Sequence, residues 1–273
     1  MTDPFRYGHT EESLPGGNQT AGVVRVADTV RRPAQPWSPA IRELLDHLDA
    51  TVPGIAPRSL GQDDLGRDVF SFVEGTTGHY PLDAAMRSDD ALVEAARLLR
   101  RYHDATVTLA HRSDLPWGYL DPSPDRREVI CHNDVAPCNI LYRDGKPATL
   151  IDFDHAGPGP RVRDLAYAVY RFAPLASDAS CRTFGWDTPP DRIRRARRFV
   201  EAYGMDADAE LIPTVMRRVR DLRDGILALV LADPDRVRTH IREDHVGAYN
   251  GDLLWIATHR SALQRLLGSM PPR

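Results

Sequence analysis

The stretch that most constrains this chain is His132-Asn133-Asp134-Val135-Ala136-Pro137-Cys138-Asn139, followed by Ile151-Asp152-Phe153-Asp154. Its order of carboxylates and amide is what metal-assisted phosphoryl transfer requires. That reaction needs a carboxylate beside the acceptor hydroxyl and hard oxygen ligands that hold Mg²⁺ against the phosphates. Asp134 can supply the first, and Asn139 and Asp152 the second. The flanks read as strands: Glu128-Val129-Ile130-Cys131 leads into the loop, Ile140-Leu141-Tyr142 follows it, and Ala148-Thr149-Leu150-Ile151 comes after the turn Arg143-Asp144-Gly145-Lys146. Asp134 then lies in a loop, Asn139 at a strand entrance and Asp152 at a strand exit. All three come to one end of a small sheet.

His-x-Asp-x-x-x-x-Asn, the Ile-Asp-Phe-Asp segment, Gly157-Pro158 and Asp164-Leu165-Ala166 together resemble the aminoglycoside phosphotransferase and choline kinase superfamily. The resemblance implies an α+β, bilobal, protein-kinase-like fold with a small antiparallel-sheet N-lobe and a mainly helical C-lobe. It implies Asp134 as catalytic base, Asn139 and Asp152 as metal ligands, and His132 and Asp164 as braces of the loop. Asp154 is carried over toward a second metal or the substrate. The implied cofactor is Mg²⁺, with ATP or GTP as co-substrate.

The phosphate-gripping half of such a site is expected near the amino terminus. Leu14 to Thr20 is a turn containing Gly16 and Gly17, whose backbone amides can cover phosphates between two strands, and Val23 to Val26 alternates like a strand. A lysine on the following strand is the usual phosphate grip, yet the only lysine here is Lys146, after the catalytic loop. Arg31 is the first choice to replace it and Arg32 the second, because on a strand of period two only one of them faces the cleft. Ser38 reads as the N-cap of a helix over Pro39 to Asp49, with Ile41, Leu44, Leu45 and Leu48 on one face. Glu43 on that helix is the candidate partner of the gripping arginine, against the alternative of a solvated surface glutamate. Two strands between Ile55 and Glu74, around Asp63-Asp64-Leu65-Gly66, lead to a hinge where Phe72 and Glu74 meet the nucleobase through backbone groups. The expected lobes are 1–74, binding nucleotide, and 75–273, carrying catalysis and the acceptor.

Helical periodicity fills the second lobe at Leu82 to Thr108, from Leu165, at Asp191 to Tyr203, at Ala209 to Leu231 and from about Val246 to Leu267. His103 reads as a histidine without chemistry, and Cys181 to Pro190 as irregular. Glu243, Asp244 and Asp252, with Trp255 nearby, are the candidates for an acidic pocket that attracts a cationic acceptor. The acceptor class is a hydroxylated small molecule, with an antibiotic-like amino sugar as the leading case by family analogy.

Composition excludes other classes. A net charge of −4 and the lack of aromatic interleaving in the basic run Asp191 to Arg198 argue against nucleic acid. No run approaches a membrane span of roughly 18 apolar residues, and the first residues lack a secretory core, so no membrane partner and a cytoplasmic location are expected. Cys131, Cys138 and Cys181 fit a reducing compartment, and a zinc site built on Cys131, His132 and Cys138 lacks a second ligand pair. A protein kinase is disfavoured because Asp-Phe-Gly and Ala-Pro-Glu are absent. Two readings remain: a Mg²⁺-dependent small-molecule O-phosphotransferase, and a non-catalytic kinase-like binding or immunity protein.

Overall fold

The structure is a computed structural model describing residues 11–14, 22–205, 210–232 and 238–268. Its first part is an antiparallel sheet of β1 (Glu12–Ser13), β2 (Val24–Val26), β3 (Thr29–Pro33), β4 (Ser59–Gln62) and β5 (Arg67–Ser71), in the order β1-β2-β3-β5-β4. Helix α1 (Ser38–Thr51) is inserted between β3 and β4 and buries Ala40, Ile41, Leu44, Leu45 and Leu48. Ser38 is not its N-cap. Trp37 holds that position without a side-chain cap, while the Ser38 hydroxyl accepts from Gln35 N and donates to Asp68. Asp68 is fully buried on β5 and also accepts from Arg42 Nη1 at 2.6 Å. A buried carboxylate needs such partners, and they tie α1 to the sheet.

The second part opens with β6 (Thr76–Thr77), which pairs with β8 (Ile140–Arg143); β8 in turn pairs with β9 (Lys146–Leu150). Asp144 and Gly145, both at positive φ, close that hairpin. Strand β7 (Val129–Cys131) pairs with β10 (Gly157–Gly159). Around these lie α2 (Asp89–Ala105), α3 (Arg161–Phe172), α4 (Asp178–Thr183), α5 (Arg192–Tyr203), α6 (Leu211–Ala232), α7 (Arg238–Arg242) and α8 (His245–Gly268). Helix α2 begins later than its apolar pattern suggested because the Ser88 hydroxyl caps it, accepting from Ala91 N. A short helix, α4, occupies the start of the segment read as irregular.

The core is continuous through the helices. Leu92, Leu98 and Leu99 of α2, Leu165 and Val169 of α3, Phe199 of α5 and Ile256 of α8 are all fully buried. Each contributes about 1.5–3 kcal/mol relative to exposure. The basic run is paired within the chain: Arg194, Arg195 and Arg198 of α5 converge on Asp89 in the first turn of α2, at 2.8, 2.8 and 2.5 Å, with Arg195 buried and the other two at the surface. Among the described residues, no helix is long and apolar enough to cross a membrane.

Candidate active site

Strand β7 is wholly buried and delivers the chain to the loop at His132. The loop turns at Asn133, whose φ of 65° lies in the left-handed region that asparagine tolerates better than most residues. Asp164, fully buried in the first turn of α3, holds this turn by accepting from His132 N at 2.5 Å and Asn133 N at 2.6 Å. His103 of α2 adds a third bond, Nε2 to Asp164 at 3.1 Å, and its Nδ1 meets the Tyr203 hydroxyl at 2.7 Å. Burial lowers the His103 pKa more than Asp164 raises it. Burial alone would raise Asp164, but His103 and the backbone donors hold its carboxyl below the ordinary range. A neutral His103 therefore donates to an ionised Asp164. The histidine expected to carry no chemistry is a buried structural brace.

His132 links the two halves of the motif. Its Nε2 lies 3.0 Å from Ile151 O, which can only accept, so Nδ1 is the acceptor for Asp134 N at 3.3 Å. The imidazole thereby connects the Asp134 loop to the end of β9, packed on Phe153 with ring centroids 4.7 Å apart. Asn139 makes the second link: its Nδ2 donates to Asp134 Oδ2 at 2.7 Å and Asp134 O at 2.9 Å, and its carbonyl accepts from Ile151 N. Among the described residues no hydrogen bond uses Asn139 Oδ1.

Asp152 follows β9 with φ 66° and a side chain 51% exposed. Desolvation by the surrounding chain, and next the Asp154 charge, raise its pKa above the ordinary value, with Arg32 opposing and Asp134 adding to the rise. An unclaimed amide oxygen and a crowded, accessible carboxylate suit Mg²⁺, which binds one or two protein oxygens and completes its shell with phosphates and water. The backbone beside this segment is packed tightly. A Cβ on Gly118 would stand 2.1 Å from Asp154 O, and one on Gly157 1.7 Å from Tyr119 O, so only glycine fits either place.

Arg32, not Arg31, reaches these carboxylates. It bonds Asp154 Oδ1 and lies 3.9 Å from Asp152, while Trp37 Nε1 donates to the same Asp154 oxygen at 3.1 Å. Arg31 projects from the opposite face of β3 to Asp63 at 3.5 Å. Alternation puts the two arginines on opposite faces, and the packing of α1 makes Arg32's face the inner one. Glu43 is a partner to neither, because Arg112 holds both of its oxygens. Asp154 Oδ1 is shared by Arg32 and Trp37, and among the described residues no hydrogen bond uses its Oδ2.

At the expected hinge, Phe72 N donates to Asp28 O at 2.7 Å, and the Phe72 ring lies under Arg25. Glu74 O accepts from Arg143 Nε at 3.3 Å. Those backbone groups are engaged within the protein, and among the described residues the intervening Val73 backbone is not. Gly16 and Gly17 lie outside the described residues.

The residues proposed for an acidic acceptor pocket each have partners within the chain. Asp252 is buried and accepts from Tyr170 OH, Ser177 N and Ser180 Oγ at 2.7–2.8 Å, bracing α8 against α3 and α4. Asp244 bonds Gly247 N at the start of α8, Glu243 pairs with Arg242 and His245, and Trp255 stacks on His259 with Arg192 above it. Tyr167 of α3 and Tyr249 of α8 are among the groups that feel the Asp134 charge. Burial, then Asp134, raises both phenols. Beside them Arg171 Nη2 donates to Tyr80 OH at 2.6 Å, and its guanidinium stacks on Tyr80 and Phe184. The signal for this wall is in the sequence: Asp164, Tyr167 and Arg171 follow the three-and-four spacing of one helix face.

The model of the phosphotransferase enzyme family, APH, matches residues 111–222. The chain is similar to a trifolitoxin immunity protein of Rhizobium leguminosarum bv. trifolii, at 33% identity over 199 residues, covering 71% of this chain and 74% of that protein. Its fold resembles the ethanolamine kinase of Plasmodium vivax, with a TM-score of 0.62 and 15% identity over 93% of this chain and 83% of that one. It also resembles the macrolide 2′-phosphotransferase of Brachybacterium faecium, with a TM-score of 0.54 and 15% identity over 97% and 93% of the chains. With the kinase-like architecture and the family's motif on one frame, the chain belongs to the APH phosphotransferase enzyme family.

Proposed function

We propose that this protein transfers the γ-phosphoryl group of a nucleoside triphosphate to a hydroxyl of a small molecule. The carrying observation is the linked triad: Asn139 fixes the Asp134 carboxylate with its amide nitrogen, while its free oxygen and the accessible Asp152 stand beside it. A domain needing only a stable loop has no use for that arrangement. Asp134 receives the acceptor hydroxyl and takes its proton as the new O–P bond forms, and the nucleoside diphosphate departs as the old P–O bond breaks. Asn139 and Asp152 would hold Mg²⁺, which supplies charge neutralisation at the phosphates. Arg32 exchanges its carboxylate partner for a phosphate, a fork-shaped grip in place of lysine. The nucleobase meets the backbone at Val73, and the chain passes between a nucleotide lobe, 1–74, and an acceptor lobe, 75–273. The acceptor rests on the wall of Tyr80, Tyr167, Tyr249 and Arg171, which favours a planar or apolar group beside its hydroxyl.

A second reading has its own support. Arg32 is committed to Asp154, and a 33% identical relative is called an immunity protein, as a binding protein without turnover would allow. A γ-phosphate transfer screen with Mg²⁺-ATP and Mg²⁺-GTP over aminoglycosides, peptide antibiotics, nucleosides and amino alcohols separates the two. Transfer that Asp134→Ala abolishes, with the melting temperature and its rise on nucleotide retained, supports the kinase. A protein that no nucleotide stabilises at millimolar concentration supports the binding protein.

A further inference from the structure

We infer that a small tetrahedral oxyanion, of phosphate or sulfate chemistry, binds between α3 and α6, behind the arginines that hold Asn133. A cavity of about 40 Å³ lies there, lined by Asp121, Arg126, Arg163, Thr214, Arg217 and Arg218. By the rule that one water needs roughly 10–15 Å³, it has room for about three such groups, with the remaining oxygen of the anion at the open mouth.

The charges are arranged for an anion. Asp121 is already used, by Tyr119 OH and Ser123 N, and Arg126 is paired with Glu210. Among the described residues, Arg163, Arg217 and Arg218 have no carboxylate partner. A further group at this wall lacks a partner: Thr214, 4% exposed, has a buried hydroxyl without a hydrogen-bond partner. Leaving such a group unsatisfied costs about 1–3 kcal/mol, and an acceptor oxygen drawn to this wall by the arginines is the kind of partner it lacks. The cavity also sits at the first turn of α3, where the helix dipole favours negative charge. Burial, followed by the Arg218 charge, holds the Arg163 guanidinium below its ordinary range, a repulsion that an anion relieves. Both guanidiniums hold Asn133 from this side, Arg163 Nε on its Oδ1 at 2.6 Å and Arg218 Nη2 on its carbonyl at 2.7 Å. An anion here therefore steadies the residue before Asp134.

The test is a titration of the full chain with sodium sulfate, and separately with inorganic phosphate, against sodium chloride at matched ionic strength, read as melting temperature and by calorimetry. A saturable rise is expected, whereas general salt effects do not saturate at low concentration. Arg217 is exposed, so Arg217→Gln leaves the fold intact; it should weaken the apparent affinity about ten-fold, and Thr214→Val should weaken it too. Arg32→Gln, which disables anion capture in the nucleotide cleft, should leave the titration unchanged. The inference is overturned if no saturable response occurs, if Arg217→Gln titrates like the parent, or if Arg32→Gln abolishes the response.

Discussion

Asp164→Asn tests the support of the Asp134 loop most directly. The native carboxylate is fully buried and accepts from two backbone amides, at 2.5 and 2.6 Å, and from His103 at 3.1 Å. Asparagine keeps the shape but offers one oxygen, and it turns an amide group toward donors it cannot satisfy. Hydrogen bonds to a charged group contribute about 1.5–3 kcal/mol each. Losing two, with part recovered by the remaining oxygen, gives about 3–5 kcal/mol, the usual range for removing one member of a buried charged network. In a chain of this size each kcal/mol moves the midpoint by about 2–4 °C, so melting should fall by about 6–20 °C. Urea unfolding should show the same loss as a lower midpoint at unchanged slope. Because the native pKa of Asp164 is depressed, its stabilisation is present above the unfolded value near pH 4 and disappears as pH falls through the native value. The two proteins' stabilities should therefore converge in acid. A loss below about 1 kcal/mol at neutral pH would refute the account in which this carboxylate holds the loop.

Arg32→Gln should reduce stabilisation by Mg²⁺-ATP or Mg²⁺-GTP at least about ten-fold in apparent affinity, while Arg31→Gln should change it less than about two-fold; equal effects in nucleotide thermal-shift titrations would contradict the assignment of faces on β3. His103 has a depressed native pKa, so its contribution is complete above the unfolded value near 6.5 and declines as pH falls below it. Urea stability measured at about pH 7.5 and 5.5 should show a decline of up to about 1.4 kcal/mol per pH unit from this one group, and His103→Gln should flatten it. Asp252→Ala should cost about 2–4 kcal/mol in urea unfolding through its three lost hydrogen bonds. Once an acceptor is in hand, that variant should leave its KM near the parent value; a large rise in KM at unchanged stability would return Asp252 to the acceptor pocket.

Much of the frame was legible from local order. The apolar Val129-Ile130-Cys131, the hairpin turn Asp144-Gly145 and the stripe Leu92, Ala95, Ala96 and Leu99 act through neighbours in sequence, where strand and helix periods are decisive. The placement of Asp134, Asn139 and Asp152 was legible for the same reason, since short strands on either side leave the loop little freedom. Element starts were less so. Ser38 looked like a cap, yet a buried carboxylate 30 positions away claimed its hydroxyl.

By itself the sequence determined the order of the elements and the chemical character of the motif, because spacing along one strand or loop is a local property. Only folding shows which arginine reaches Asp152 and Asp154. Period two separates Arg31 from Arg32, but only the packing of α1 says which face is inside. Folding also gave Glu43 to Arg112, drew Asp252 under α3 and α4, and set Arg171 against Tyr80. Each outcome is a competition among partners tens of residues apart. The winner depends on distance and burial, and neither exists until the chain has folded.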